Sequence, residues 1–211
     1  MTDPHGYQPN DPSAAAVEHT GTGWESPILT VRRDLFTVFG ANFRVLGAGD
    51  ELLLFARQKA FRLREDLRFY EDEGRTQERL RISARSMMDF GTTYDVFDTQ
   101  YGRLGAWRRR GIRSIARDTW QLLDLNDQPV GELREDSVGM ALLRRFLGSF
   151  FFPQRFHLDL GGRRVCQFKQ RFNPFVYKLD ADFSFDIDGH LDARLGIAVA
   201  VLIAAIEGRQ E

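Results

Sequence analysis

Apolar and polar residues alternate with a period of two through most of this chain, and Gly, Asp and Asn punctuate the alternation. Period two turns one side of each segment towards a core and the other towards water, the pattern of half-buried strands joined by tight turns. One unit recurs: an aromatic-led strand, an acidic or glycine turn, then a return strand ending in Arg. Two copies align without a gap at an offset of 26, YDVFDTQYGRLGAWR over Tyr94–Arg108 and WQLLDLNDQPVGELR over Trp120–Arg134. The alignment lays Asp98 on Asp124, Gly105 on Gly131 and Trp107 on Leu133. Looser copies begin at Phe43, Leu67 and Phe156. Five hairpins, with one strand before them around Ile28–Phe36 and one after around Phe175–Ile187, predict twelve strands.

The alternation gives way at Leu195–Ile206, LGIAVAVLIAAI, twelve apolar or small residues with no charge. As a helix this segment is about 18 Å long at ~1.5 Å per residue, short of the ~30 Å hydrocarbon core of a bilayer. A helix apolar on every side must be enclosed on every side. Almost everything before it reads as strand, so the pattern predicts a barrel wrapped around a helix. Eight-stranded barrels have interiors just filled by side chains, and a helix roughly 10–12 Å across needs a wider one. Twelve strands suffice, and the small residues Gly196, Ala198, Ala200, Ala204 and Ala205 keep the helix slim. Asp192 suits the positive end of its dipole, and Gly208 is a C-terminal stop. A second, flanking amphipathic helix is predicted over Ser137–Phe150, from Met140, Leu143, Leu147 and Phe150 at helical spacing. It runs into Phe150, Phe151 and Phe152, either a lid or strand start, or an apolar patch for a membrane or partner.

At 211 residues and 43% hydrophobic, the chain can bury one substantial core. Residues 1–26 carry four acids, three prolines and no Lys or Arg, and lack the basic start and apolar centre of a signal peptide. They are expected to be a disordered leader to a single domain over 27–211, with a cytoplasmic location. A lone Cys166 excludes an intrachain disulfide. The net charge of −1 gives no global field towards nucleic acid or anionic membrane, so local patches decide. All basic residues but Lys59, Lys169 and Lys178 are arginine, which reflects either a GC-rich genome or selection for bidentate anion contacts.

The repeated units at Asp98–Trp107 and Asp124–Leu133, with the closing run DADFSFDIDGHLDARLGIAVAVLIAAIEGRQ, resemble the LURP-one-related and phospholipid scramblase group. The resemblance covers roughly Ile28 to Gln210 and rests on order and spacing. It implies a tubby-like barrel of twelve strands, usually no enzyme activity, and roles at phospholipids or in protein contacts. In scramblases an acidic segment before the terminal helix is thought to bind calcium. This chain has Asp180, Asp182, Asp186, Asp188 and Asp192 there. Carboxylates spaced by two supply oxygen ligands of the kind calcium takes, yet Phe185 and Leu191 stand at the glycine and closing-glutamate positions of an EF-hand loop. Alternation of Phe183, Phe185 and Ile187 with acids and Ser184 is equally that of a strand with one wet face, the favoured reading, beside a weak calcium site.

Tubby-like barrels can hold phosphoinositide headgroups through basic residues. The candidate here is the acid-free arginine set Arg103, Arg108, Arg109, Arg110, Arg113 and Arg117, which is either an anion-binding surface or a solvated loop. Trp107 is its sole aromatic between Arg103 and Arg117, so nucleic acid gains little support. The histidines show no zinc spacing, and there is no serine-nucleophile elbow, phosphate loop or complete dinucleotide fingerprint. Cys166 and His157 fall in two arms of one hairpin, where a buried structural cysteine is favoured over a nucleophile and base. The expected function is a non-enzymatic barrel binding an anionic phospholipid surface or a protein partner through its rim, without cofactor. Phe150–Phe152 serve as an apolar accessory. The alternatives are a calcium-responsive scramblase with a membrane-inserting terminal helix, and an interaction scaffold with no lipid ligand.

Overall fold

The computed structural model describes residues 26–34, 40–58, 66–85, 92–110, 119–136, 153–173 and 175–207. The leader other than Ser26, the helix predicted over 137–150, Phe150–Phe152, Arg113, Arg117 and Gly208 lie outside them. The strands are β1 (Ile28–Asp34), β2 (Ala41–Leu46), β3 (Leu52–Gln58), β4 (Leu67–Tyr70), β5 (Glu78–Ala84) and β6 (Thr93–Asp98). Six more follow: β7 (Gly102–Arg110), β8 (Thr119–Leu123), β9 (Pro129–Glu135), β10 (Arg155–Leu160), β11 (Arg163–Arg171) and β12 (Val176–Asp182). Helix α1 covers Ala193–Glu207.

Each strand pairs antiparallel with its neighbours in sequence, and β1 closes on β12 from Ile28 opposite Asp182 to Asp34 opposite Val176. The result is a closed twelve-stranded barrel, as the alternation predicts. Inward positions hold Phe43, Phe69, Trp107, Trp120, Phe156 and Phe168, all buried. Every side chain of α1 from Arg194 to Ile206 is buried among them. Two side chains of the wall hold carbonyls of the helix. The Trp107 indole N–H donates to the Leu195 carbonyl at 2.9 Å, and the inward Arg33 donates to the Ala204 carbonyl at 3.2 Å, a cation at the helix's negative end. Asp192 caps the other end, its main-chain carbonyl accepting from the Leu195 and Gly196 amides.

One element is corrected. The last strand stops at Asp182, not Ile187, and residues 183–192 form successive turns. The acids explain why alternation misleads here. Asp182 accepts from the Ser184 amide and hydroxyl, and Asp186, itself nearly buried, accepts from the His190 and Leu191 amides. Aspartates that bind main chain two to five residues ahead make turns, not a wet strand face. Ile187, predicted on the apolar face of a strand, is 91% exposed.

Candidate functional site

All five hairpins share one irregularity. In each, the return strand carries one extra residue near the turn, a β-bulge that disrupts the ladder and re-aims a side chain. The unpaired residues are Leu53, Arg79, Leu104, Val130 and Val165. The glycines of the aligned repeats follow directly. A Cβ on Gly105 would stand 2.7 Å from the Leu123 carbonyl oxygen, where the neighbouring strand leaves no room for a side chain, and one on Gly131 would meet the Leu160 side chain at 2.3 Å and the Asp159 carbonyl oxygen at 3.0 Å. The repeated aspartates organise the turns: Asp98 accepts from the Gln100 and Tyr101 amides, Asp124 from those of Asn126 and Gln128.

Three of the bulged residues, Leu104, Val130 and Val165, line a cleft of about 710 Å³ at the barrel end where α1 begins. Leu122, Leu123, Leu160, Leu191 and Leu195 complete its apolar walls, and Asp124, Arg163, His190 and Asp192 stand among them. At the same cleft Leu125 is 60% and Val130 44% exposed, a large apolar exposure for a turn. The barrel is sealed at this end by Arg194, which reaches Asp98 at 2.8 Å and Asp192 at 2.6 Å and lies over the Tyr101 ring. Arg194 and Asp98 side chains are only 9% and 2% exposed. The lumen beyond is filled by the helix, so the cleft is a recess in the rim and not a channel. Sequence reasoning missed it, although the doubled Asp and Gly of the repeat were its visible trace.

The arginines predicted as one surface are divided by the strand. Arg103 is held internally: it binds Asp95 at 2.8 Å, Asp127, and the Leu125 carbonyl at 2.8 Å. Arg85, just past β5, binds the same two carboxylates at 2.6 and 2.7 Å, completing a four-membered network that joins the end of β5 to β6, β7 and the β8–β9 turn. Hydrogen bonds from Arg85 and then Arg103 pull the Asp127 carboxyl down to about 2. For Asp95, partial burial pushes upward, but the same two guanidinium groups outweigh it and leave it below its ordinary value. Arg109 shares the inward face with Trp120, its guanidinium 5.9 Å from the ring centroid. Arg108 and Arg110 face outward, Arg110 exposed and close enough to Glu132 to lower that carboxyl, second to Arg134.

The acidic segment is likewise divided. Asp180 accepts from Thr30 and Arg171, Asp182 and Asp186 hold turns, and Asp188 lies 3.6 Å from Arg163. Among the described residues no three His, Cys, Asp or Glu side chains converge on a metal position. His157 and Cys166 fall on opposite faces of their hairpin. His157 sits outside between Asp136 and Asp159, whereas Cys166 is buried in the core, where burial, with Asp182 and Asp186 adding, pushes its thiol well above the usual value.

A twelve-stranded antiparallel barrel wound around its own C-terminal helix places the molecule in the class of tubby-like barrels. Within that class the assignment is specific: the LURP-one-related family model matches residues 52–204, and the chain belongs to that family. No curated protein matches it.

Proposed function

We propose that this is a non-enzymatic binding barrel of the cytoplasm, peripheral at membranes, that engages an anionic phospholipid surface through its rim. The observation that carries the reading is the cleft. Three bulges open an apolar recess at the rim of a barrel whose lumen is already occupied by its own helix, so binding is available only from outside. Ligand sites are typically apolar concavities with a few polar groups at fixed places, and Arg163 and His190 supply such groups here. Leu125 and Val130 offer the apolar contact and Arg163 the charge.

The scramblase alternative draws less support. Helix α1 has 15 residues, about 22 Å, and no helix among the described residues is long and apolar enough to cross a membrane. Withdrawing it would empty the core of Ile197, Val199, Val201, Leu202, Ile203 and Ile206, a loss on the order of 10 kcal/mol at ~1.5–3 kcal/mol each. That is comparable to the whole stability of a domain, roughly 5–15 kcal/mol.

The test is co-sedimentation with phosphatidylcholine vesicles, with and without phosphatidylserine, at low and physiological salt, with calcium or chelator. Salt-sensitive binding to the anionic vesicles, weakened by Leu125→Glu and Val130→Glu, is expected. Absence of binding in every condition removes the lipid reading and leaves apolar side chains of a protein partner as the occupant of the cleft. A calcium requirement would restore the acidic segment before α1.

A further inference from the structure

We propose that the outer face of β11, β12, β1 and β2 is an electrostatic docking face for an anionic lipid bilayer, with Phe172 and Phe175 entering the headgroup layer beside it. The inference rests on the membrane-binding reading above but locates the principal contact away from both the cleft and the Arg108–Arg117 segment, because the β11–β12 connection lies at the barrel end opposite the hairpin turns that border the cleft. The closing register of the barrel carries it. Arg171 stands directly opposite Lys178, Lys178 opposite Arg32, and Arg32 opposite Arg44, so four adjacent strands present four cations in one row. Their neighbours Gln170, Leu179, Val31 and Val45 face the barrel interior, which sets the row on the outside. At ~4.8 Å between strands it runs for roughly 14 Å. One step along, Arg155 stands opposite Lys169 and adds two more cations.

Like charges directly opposite on a sheet disfavour the pairing, so such a row needs anions. The protein supplies some. Asp34 and Glu73 answer Arg44, each at 2.7 Å, Asp34 lies 3.7 Å from Arg32, and Asp180 answers Arg171 at 2.7 Å. Lys178, in the middle of the row between two arginines, has no ion-pair partner among the described residues; Lys169 makes none within 4 Å either, although it stands opposite Asp180, which is engaged by Arg171. An external anionic surface laid over the row completes the pairing that the barrel leaves open.

The aromatic tip selects a bilayer over other polyanions. The β11–β12 connection follows Arg171 directly and projects Phe172, 57% exposed, and Phe175, 68% exposed. Asn173 shapes it, its side-chain oxygen accepting from the Phe175 and Val176 amides. Both rings lie past the ends of β11 and β12, to one side of the cation row and not between its members. That order suits an interface, where aromatic rings sit at headgroup level and basic residues contact the anionic surface. Single-stranded nucleic acid instead needs stacking platforms interleaved with backbone contacts along a groove.

The decisive variant is Lys178→Glu in the full chain. The new carboxylate sits between Arg171 and Arg32 and satisfies both, so thermal stability is expected to hold or rise while vesicle binding falls. Two charges change, and at about fivefold per charge near an anionic surface the loss is roughly twenty- to thirtyfold at low salt. Lys169→Gln is expected to cost about fivefold, and Phe172→Ser with Phe175→Ser to weaken binding without changing its salt dependence. Arg108→Gln with Arg110→Gln should have the smaller effect. If the wild type binds no phosphatidylserine-containing vesicle, the membrane reading and this proposal fall together. Should the wild type bind and Lys178→Glu bind equally, with loss confined to the Arg108 and Arg110 variant, only this proposal is overturned. Binding of a single-stranded oligonucleotide, lost in Lys178→Glu with no vesicle binding, would overturn it in favour of nucleic acid.

Discussion

Replacing Arg194 by Met tests whether the rim seal is electrostatic or merely steric. Met keeps much of the side-chain length and its contact with Tyr101 but removes the guanidinium from Asp98, whose carboxylate is 2% exposed. Removing one partner of a buried pair costs about 3–5 kcal/mol, because the other charge stays buried and unanswered. Asp98 keeps two main-chain donors, from Gln100 and Tyr101, which places the expected loss near the lower end, about 3 kcal/mol. For a chain of this size that lowers the melting temperature by about 6–12 °C. The reverse change, Asp98→Asn, leaves Arg194 paired with Asp192 at 2.6 Å and should cost only about 1–2 kcal/mol. The double variant should cost less than the two singles together, with a coupling of about 2 kcal/mol. The assay is urea unfolding of all four proteins followed by tryptophan fluorescence, since Trp107 is buried beside α1. Strict additivity, or a loss below about 1 kcal/mol for Arg194→Met, would show that the pair does not hold this end of the barrel.

Three further outcomes follow from local geometry. Asp127 should titrate near 2 by carboxyl NMR instead of at its ordinary 3.8, and Arg85→Gln or Arg103→Gln should raise it. Because the folded value is the lower one, its contribution is present above 3.8 and is lost as pH falls towards 2; a wild-type Asp127 titrating at 3.8 would remove the network. Gly105→Ala should destabilise by about 1–3 kcal/mol, since a backbone carbonyl blocks the new Cβ. Gly131→Ala should cost less, because its closest obstacle is the movable Leu160 side chain at 2.3 Å; thermal denaturation that reverses this order contradicts the packing described. Cys166 should resist maleimide until denaturant is added, and fast labelling of the native protein would show that the strand around it opens.

The alternation of inward Phe43, Val45, Leu80, Ile82, Tyr94 and Val96 with polar neighbours is a local property, so the hairpins were legible along the chain. The enclosed helix was legible because an uncharged run of its length has few other places to go. The 26-residue repeat marked Asp98, Asp124, Gly105 and Gly131 as special before their turn and bulge roles were visible. What stayed hidden depends on register. Arg103 reads as a free cation until the fold brings Asp95 and Asp127 to it from β6 and the β8–β9 turn. The row of Arg171, Lys178, Arg32 and Arg44 spans both ends of the sequence and exists only through the β1–β12 closure. Beyond Asp182, aspartates that bind main chain imitate the period of a strand, and no count of polar positions separates the two.

The order of elements also sets a schedule for assembly. Helix α1 follows all twelve strands in the chain yet occupies their common core, so during synthesis the hairpins emerge without the segment that fills them. Adjacent strands can pair early at little entropic cost, whereas the seam between β1 and β12 must bring together residues about 150 positions apart. A seam closed before the helix is in place would surround a lumen lined by apolar side chains, Phe43, Phe69, Trp107 and Phe168 among them, with nothing to cover them. Stable closure is therefore expected only once α1 has been made, and until then the strands form an open, aggregation-prone sheet.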